Sequence, residues 1–190
     1  MEDTGYRYYQ QFLDGDPLGF EEIVRQYRNN LILFIQQFVR DYQAAEDISQ
    51  NVFVKLYLKK PSYSPDASFK TWLYTIAKRE ALNYLKKQRR HALVEYDAHA
   101  FFEVEQDYLE TILSDERAIA LHRALNELRE DYRQVLYLCY FEDMQVNDMA
   151  LLLKKKPRQV SDLLYNAKKS LKSVITKGGN QYEILRSGIE

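Results

Sequence analysis

The sequence predicts an all-α protein of two small helical domains joined by a flexible linker, the second containing a helix–turn–helix. Three observations lead to this prediction. Apolar residues recur at three- and four-residue spacing along most of the chain, strand-type alternation is missing, and residues 92–114 show no sustained period. With 190 residues and a hydrophobic content of 46%, the chain is long enough for one large or two small cores.

The first domain is predicted over residues 1–91, as helices separated by polar breaks. Asp16 and Pro17 are typical of an N-cap and of the first position of a helix. The apolar residues that follow keep helical spacing: Phe20, Ile23, Val24, Tyr27, Leu31, Phe34, Ile35 and Phe38. A second helix, "AAEDISQNVFVKLYLKK", has one apolar face formed by Ile48, Val52, Phe53 and Leu56.

The stretch "PSYSPDAS" interrupts the helical pattern, because Pro61 and Pro65 cannot continue a helix. After it, "SFKTWLYTIAKREALNYLKKQRRH", from Ser68 to His91, predicts one long amphipathic helix with a strongly basic end. The residues predicted for its apolar face are Phe69, Trp72, Leu73, Ile76, Ala77, Leu82 and Leu85, with Trp72 in the core.

An acidic linker is predicted over residues 92–114, and the second domain over residues 115–176. The second domain begins with a helix near Asp115 and ends in two helices joined by a short turn, the last of which starts at Pro157. Residues 177–190 are predicted to be a poorly ordered tail.

Charge is distributed in blocks along a chain whose net charge is only −1. Residues 1–57 carry a net charge of −4 and residues 58–93 a net charge of +7. Residues 94–149 carry −10 and residues 150–190 carry +6. Two basic blocks separated by an acidic one indicate an anionic partner that is contacted at two places. Solvated helix faces are the alternative for either block alone.

Several classes of protein are disfavoured by composition. Cys139 is the single cysteine, predicted to be a buried thiol, and the three histidines have no ligand-type spacing, so we predict no metal and no cofactor. No nucleophile–base pair, carboxylate dyad or phosphate loop indicates an enzyme. The N-terminus lacks a signal pattern and no apolar run approaches a membrane span, which predicts a cytoplasmic protein without membrane insertion.

The helix–turn–helix is typical of proteins that bind the major groove, although many helical bundles match the same pattern. Lysines at the turn, Lys155 and Lys156, are suited to phosphates. On the first turns of the second helix, Arg158 could read guanine, Gln159 adenine, and Asp162 the amino group of cytosine. The predicted DNA-binding residues of this domain are Lys155, Lys156, Arg158, Gln159, Ser161, Asp162, Lys168 and Lys169.

The basic helix and the loop before it are suited to single-stranded nucleic acid. Cations follow the backbone, while an aromatic side chain such as Tyr63 stacks on an unpaired base. A solvated basic face and a membrane-surface helix are the alternatives. The predicted DNA-binding residues here are Lys59, Lys60, Tyr63, Lys70, Lys78, Arg79, Lys86 and Lys87.

Together the motifs resemble the bacterial sigma factors of the extracytoplasmic-function (ECF) group. "LDGDPLGFEEIVRQY", "AAEDISQNVFVKLY" and "SFKTWLYTIAKREALNYLKKQRR" resemble the core domain, and "ALNELREDYRQVLYLCYFEDMQVNDMALLLKKKPRQVSDLLYNAKKSL" the C-terminal domain. The resemblance implies a non-enzymatic alternative sigma factor. Its implied partners are core RNA polymerase, promoter DNA and an anti-sigma factor.

The resemblance also implies roles for individual residues. The family's helix corresponding to Glu46–Tyr57 binds a coiled coil of RNA polymerase, which assigns polymerase contacts to Asp47, Gln50 and Asn51. The loop before the Trp-bearing helix captures a flipped base of the minus-ten element. The C-terminal domain reads the minus-thirty-five element, and the acidic linker threads toward the RNA path of the polymerase.

The sequence departs from the family at several positions. Arg129 replaces a usual proline and Lys154 a usual glycine at the turn. Three positions of the recognition helix that usually carry cations are neutral here: Ser161, Leu163 and Asn166. Readout of the minus-thirty-five element is therefore altered or weakened. A degenerate sigma-like protein and a stand-alone helix–turn–helix regulator remain alternatives.

Overall fold

Helices separated by short turns make up the computed structural model, which describes residues 3–64, 66–92 and 115–186. Its chain divides into two units, Met1–Val104 and Glu105–Glu190. No strand occurs within the described ranges, and the predicted all-α class is confirmed. The linker predicted over 92–114 lies outside the described residues, apart from Ala92 at the end of a helix.

The described residues of the first unit form four helices: α1 Thr4–Leu13, α2 Pro17–Val39, α3 Tyr42–Lys59 and α4 Phe69–Ala92. Local chemistry determines where they begin. The Asp16 side chain accepts a hydrogen bond from the Leu18 amide at 3.0 Å, with Pro17 in the first turn, as the sequence predicted. Asp41 caps α3 in the same way.

The core of the first unit is built around α2. All eight residues from Leu31 to Phe38 are buried, because α1, α3 and α4 pack against different sides of this helix. The partners that α4 contributes include Leu73, Tyr74 and Ala77. Because α2 is buried on all sides over these residues, it lies at the centre of the bundle.

The second unit begins with α5 Glu116–Asn126 and α6 Glu130–Tyr140, followed by α7 Val146–Leu153 and α8 Pro157–Lys177. A 3₁₀ turn, Gly179–Tyr182, and a short α9, Glu183–Arg186, complete it. The helix starts predicted near Asp115 and at Pro157 occur where the sequence places them, with Asp115 as the N-cap of α5 and Pro157 as the first residue of α8. Helices α7 and α8 are the predicted helix–turn–helix.

The core of the second unit combines apolar and polar side chains. Leu125, Leu136 and Val160 are fully buried between the helices. His122, Arg133 and Glu142 are also almost fully buried, and the Tyr137 hydroxyl donates to the Glu142 carboxylate at 3.3 Å. Polar groups at such depth are normally held by hydrogen bonds and ion pairs, which tie these helices into one arrangement.

Four expectations about burial and order are corrected. Residues 179–186 are helical and Tyr182 is buried, with its hydroxyl hydrogen-bonded to Glu127, so this part of the tail is ordered by a contact with a distant residue. Cys139 and Trp72 are half-buried. Leu82 is 47% exposed, because Tyr74 and Ala81 occupy the buried face of α4 instead.

None of the described helices combines the length and the apolar composition that crossing a bilayer requires.

Candidate functional site

The outward face of α3 brings together the three residues predicted to contact polymerase. Asp47, Gln50 and Asn51 are all exposed. At 100° per residue, Val54 and Leu58 lie on the same face, and they are 52% and 73% exposed. The spacing 47, 51, 54, 58 is the four–three spacing with which a helix packs against another helix. The sequence analysis missed the apolar half of this face.

Beside this face, α2 and α3 enclose an apolar groove of about 460 Å³. Phe20 and Val24, predicted to be core, are half-buried and form one wall of the groove. At its end Arg28 pairs with Glu46 of α3 at 2.5 Å. The groove is lined by Phe20, Val24, Arg28, Ser49, Gln50, Phe53, Val54, Tyr57 and Leu58.

Ser49 lies in the lining of this groove, although only 1% of the residue is exposed. Its hydroxyl has no hydrogen-bond partner within the described part of the chain. A buried hydroxyl without a partner is costly, so a polar group brought in by a ligand would stabilise it.

Residues 60–68 connect α3 to α4, and all but Pro65 are described. We call them the promoter loop, after the role that the family resemblance implies for them. Lys59 and Lys60 are exposed at its start. Tyr63 is folded inward: its hydroxyl donates to the Ala67 carbonyl, and its ring lies 4.9 Å from that of Tyr6. Burial, and secondarily the charge of Asp3, raises the pKa of Tyr63. The predicted stacking residue therefore packs against the protein here.

The cations of α4 do not share one face. Arg79 and Lys86 are seven residues apart and both point away from the core, whereas Lys78 and Lys87 flank them on opposite sides. Lys70 is half-buried, and its ammonium lies 5.8 Å from the Tyr74 ring centroid. The helix therefore presents a broad basic surface, with Lys70 at its edge.

The two lysines at the turn, Lys155 and Lys156, are exposed, as are Lys168 and Lys169 on α8. Lys168 also lies over the Tyr140 ring, with 5.9 Å between the ammonium and the ring centroid. These placements allow the predicted phosphate contacts.

Of the four residues predicted to read bases on α8, two are hydrogen-bonded to the backbone at the start of the helix and two are exposed. The Gln159 side-chain carbonyl accepts from the Lys156 amide at 2.9 Å, which caps the helix. The Ser161 hydroxyl donates to the Pro157 carbonyl at 3.2 Å. Bidentate reading of adenine by Gln159 would have to break the cap. Arg158 and Asp162 are exposed on the outward face.

Tyr165 is a residue of this face that the sequence analysis missed. It is 72% exposed and lies seven residues after Arg158 and three after Asp162, so all three share the outward side of α8. The sequence signal that could have identified Tyr165 is its helical spacing from Arg158 and Asp162. Apolar spacing alone does not predict whether such a tyrosine lies on the buried or the exposed side of the helix.

No cluster of three or more potential metal ligands occurs within the residues that the structure describes.

Comparison with known proteins identifies both units. Residues 23–91 match Sigma-70 region 2, and residues 118–171 match Sigma-70, region 4. The chain is 29% identical over 167 residues to the RNA polymerase sigma-H factor of Pseudomonas aeruginosa, covering 83% of this chain and 86% of that protein. It is 25% identical to the ECF RNA polymerase sigma-E factor of Escherichia coli over 171 residues, with the same coverage.

Two solved structures have a similar fold. CnrH, solved in complex with the cytosolic domain of CnrY, gives a TM-score of 0.65 at 18% identity and covers 92% of this chain and 99% of that one. The sigma factor RpoE of Bartonella quintana, solved with the anti-sigma factor NepR, gives 0.63 at 17% identity, covering 83% and 96%.

A helical unit of region 2 followed by one of region 4 defines the class of sigma factors. The chain belongs to the sigma-70 family, within its ECF group. Sigma factors are transcription initiation factors and not enzymes, as the sequence predicted.

Proposed function

We propose that this chain, an alternative sigma factor that directs core RNA polymerase to promoters, performs its work with three surfaces. The outward face of α3, with the adjoining groove, holds polymerase. The promoter loop and the basic surface of α4 engage the opened minus-ten element. The turn before α8 and the outward face of α8 engage the minus-thirty-five element. Because polymerase and promoter lie in the cytoplasm, we place the protein there.

The face of α3 is the observation that carries this proposal. Val54 and Leu58 are apolar and exposed one turn apart beside polar Asp47 and Asn51, and together with the adjoining groove they are costly to leave uncovered. A helical partner would bury Val54 and Leu58 and would supply a polar group to Ser49 at the groove. The coiled coil of RNA polymerase, which the family resemblance implies as the partner, would provide these helices.

Promoter contacts follow from the two basic blocks. Arg79 and Lys86 face solvent where phosphates of an opened strand can reach them, and each cation that releases a counterion adds to affinity. On α8, Arg158, Asp162 and Tyr165 form the outward face that would enter a major groove. The Gln159 cap leaves base reading to these three residues.

An anti-sigma factor is the third partner, since RpoE was solved with the anti-sigma factor NepR and CnrH with the cytosolic domain of CnrY. The apolar face of α3 is where competition with polymerase would be most effective, because one helical surface cannot be covered twice.

The experiment that tests the proposal is co-purification with core polymerase, followed by run-off transcription on genomic DNA. Asp47→Arg with Gln50→Ala, and separately Leu58→Glu, should weaken polymerase binding at least tenfold, as is typical of an interface centre. Far-UV circular dichroism should be unchanged, because all three side chains are exposed.

Gln26→Arg is the matched control, since Gln26 is exposed on the side of α2 away from the groove. Polymerase binding that survives both α3 variants would show that this face is not the contact. Binding without any transcript would instead favour the degenerate sigma-like protein.

A further inference from the structure

Helix α1 lies outside the segment that matches Sigma-70 region 2, which begins at residue 23. It nevertheless contacts the promoter loop at its start and its middle, and its N-cap residue Asp3 contacts the first residue of α4, directly after the loop. These contacts give α1 a place in the function that the family match does not assign.

The end of the loop is held by Asp3. One carboxylate oxygen accepts from the Tyr6 amide of α1 at 3.2 Å, and the other accepts from the Phe69 amide of α4 at 2.6 Å. A single side chain therefore caps α1 and also binds the first amide of α4, whose own N-cap is Ser68. Negative charge at both N-termini is also favourable to the two helix dipoles.

The start and the middle of the loop are held by two tyrosines of α1. The Tyr9 hydroxyl donates to the Pro61 carbonyl at 2.6 Å, and the Tyr9 ring is fully buried. The Tyr6 ring lies 4.9 Å from the ring of Tyr63. The loop and the residue that follows it are thus attached to α1 and its N-cap at three points between residues 61 and 69.

Close packing keeps α1 in place against the rest of the unit. A Cβ on Gly5 would lie 2.5 Å from the Tyr27 hydroxyl and 2.6 Å from the Phe69 ring. A Cβ on Gly19 of α2 would lie 2.3 Å from the Tyr8 carbonyl of α1. Contacts this short require glycine, so α1 is seated at backbone distance and can act as a rigid support.

We propose that α1 is the support that pre-forms the promoter loop, with Asp3 and Tyr9 as positioning residues at its two ends. The inference rests on the proposed role of the loop in binding an unpaired base. A loop whose ends are already fixed loses less conformational freedom when it closes on a base, so more of the stacking and hydrogen bonding appears as affinity and discrimination.

The test measures base discrimination with the holoenzyme, formed from this chain and core polymerase. Short single-stranded oligonucleotides with a randomised segment are selected on the holoenzyme and sequenced. The readout is the enrichment ratio between the best and worst base at the most selective position. Asp3→Asn removes the charged acceptor, and Tyr9→Phe removes only the hydroxyl from a buried ring. Each should reduce the ratio about tenfold, the effect of losing one strong hydrogen bond.

Asp14→Asn is the matched control, because it makes the same change at an exposed residue after the other end of α1. Its ratio should equal that of the wild type. Thermal unfolding followed by Trp72 fluorescence separates stability from positioning, since a merely structural role lowers the midpoint and leaves the ratio intact.

The possible results decide between the inference and its premise. A ratio that is unchanged in Asp3→Asn and Tyr9→Phe, or lowered equally in Asp14→Asn, overturns the inference while the loop keeps its role. A wild-type holoenzyme that enriches no base at any position overturns the proposed role of the loop, and the inference with it.

Discussion

Lys154 takes up a left-handed backbone conformation at the end of α7, with φ 55° and ψ 46°. A residue with a Cβ costs about 1–2 kcal/mol in this region, relative to glycine. Glycine would lose more freedom on folding, which offsets part of the gain. Lys154→Gly should therefore stabilise the second unit by about 0.5–1 kcal/mol, measured by hydrogen exchange of α7 and α8 peptides.

Lys155 provides the control for this prediction, because it is not among the residues with positive φ. Lys155→Gly should be neutral or destabilising. If both substitutions have the same effect, the left-handed conformation of Lys154 does not limit stability.

His122 makes the stability of the second unit depend on pH. Burial, and secondarily the nearby Arg133 guanidinium, lowers the pKa of His122 to about 4. Because the unfolded pKa is about 6.5, the neutral ring contributes about 3 kcal/mol, fully present above pH 6.5 and lost as pH falls toward 4. Tyr137 does not titrate in this range, since burial raises its pKa well above the usual value.

The measurement is hydrogen exchange of α5 and α6 peptides between pH 7 and pH 5, corrected for intrinsic rates, with α2 peptides as an internal reference. Protection should fall with pH in the wild type. His122→Gln should lower protection at pH 7 and remove the His122-dependent part of the slope. An identical slope in both proteins would contradict the assignment.

Among the helices, α8 combines an unusual outward face with an ordinary inward one. Val160, Ala167 and Leu171 are buried as a helix–turn–helix requires. Outward, Asp162 lies between Arg158 and Tyr165, where a carboxylate either accepts from a cytosine amino group or repels a phosphate. The two roles differ in how binding depends on sequence.

Asp162→Ala separates these roles in a selection from duplex DNA with a randomised upstream element. If Asp162 reads a base, the preferred sequence should change at one position by about 1–3 kcal/mol. We expect this result, because Lys155 and Lys156 still supply phosphate contacts at the turn. Equal tightening on all sequences would show that Asp162 only repels, and a wild type that enriches no upstream sequence would contradict altered readout.

At the scale of the whole molecule, each unit has its own core, and the single tryptophan, Trp72, lies in the first. Leu136→Ala removes a fully buried side chain from the second unit and should destabilise it by about 2–5 kcal/mol. The unfolding transition seen by Trp72 fluorescence should not move, whereas that seen by far-UV circular dichroism should broaden or split.

Leu73→Ala, at an equally buried position of the first unit, is the counterpart and should shift the fluorescence transition. A fluorescence midpoint that falls with Leu136→Ala would show that the two cores unfold together.

Much of the fold could be predicted because its signals are local. Asp16 with Pro17, Asp115 and Pro157 mark helix starts through hydrogen bonds and dihedral limits within a few residues. The same holds for Asp47, Gln50 and Asn51, whose spacing places them on one face of α3 wherever that helix packs. The ordering of basic and acidic blocks likewise follows from the chain alone.

Contacts between distant residues could not be predicted in this way. Tyr63 packs inward because Tyr6 and Trp72 lie beside it. Tyr182 is held in its buried position by the hydrogen bond that its hydroxyl donates to the Glu127 carboxylate. Phe20 and Tyr57 belong to two different helices and line the groove together only because the packing of α2 against α3 brings their rings to 5.1 Å.

By itself the sequence determined the longer helices, their order and the two basic blocks, because capping, periodicity and charge act over a few residues, and its motifs indicated the family. It did not predict α1 or the helical turns over residues 179–186. Only the tertiary structure decided which apolar residues remain exposed, that Tyr63 packs inward against Tyr6, and that Asp3 holds the start of a helix 66 residues away. Those outcomes depend on the distances between elements, and such distances are determined only when the whole core packs.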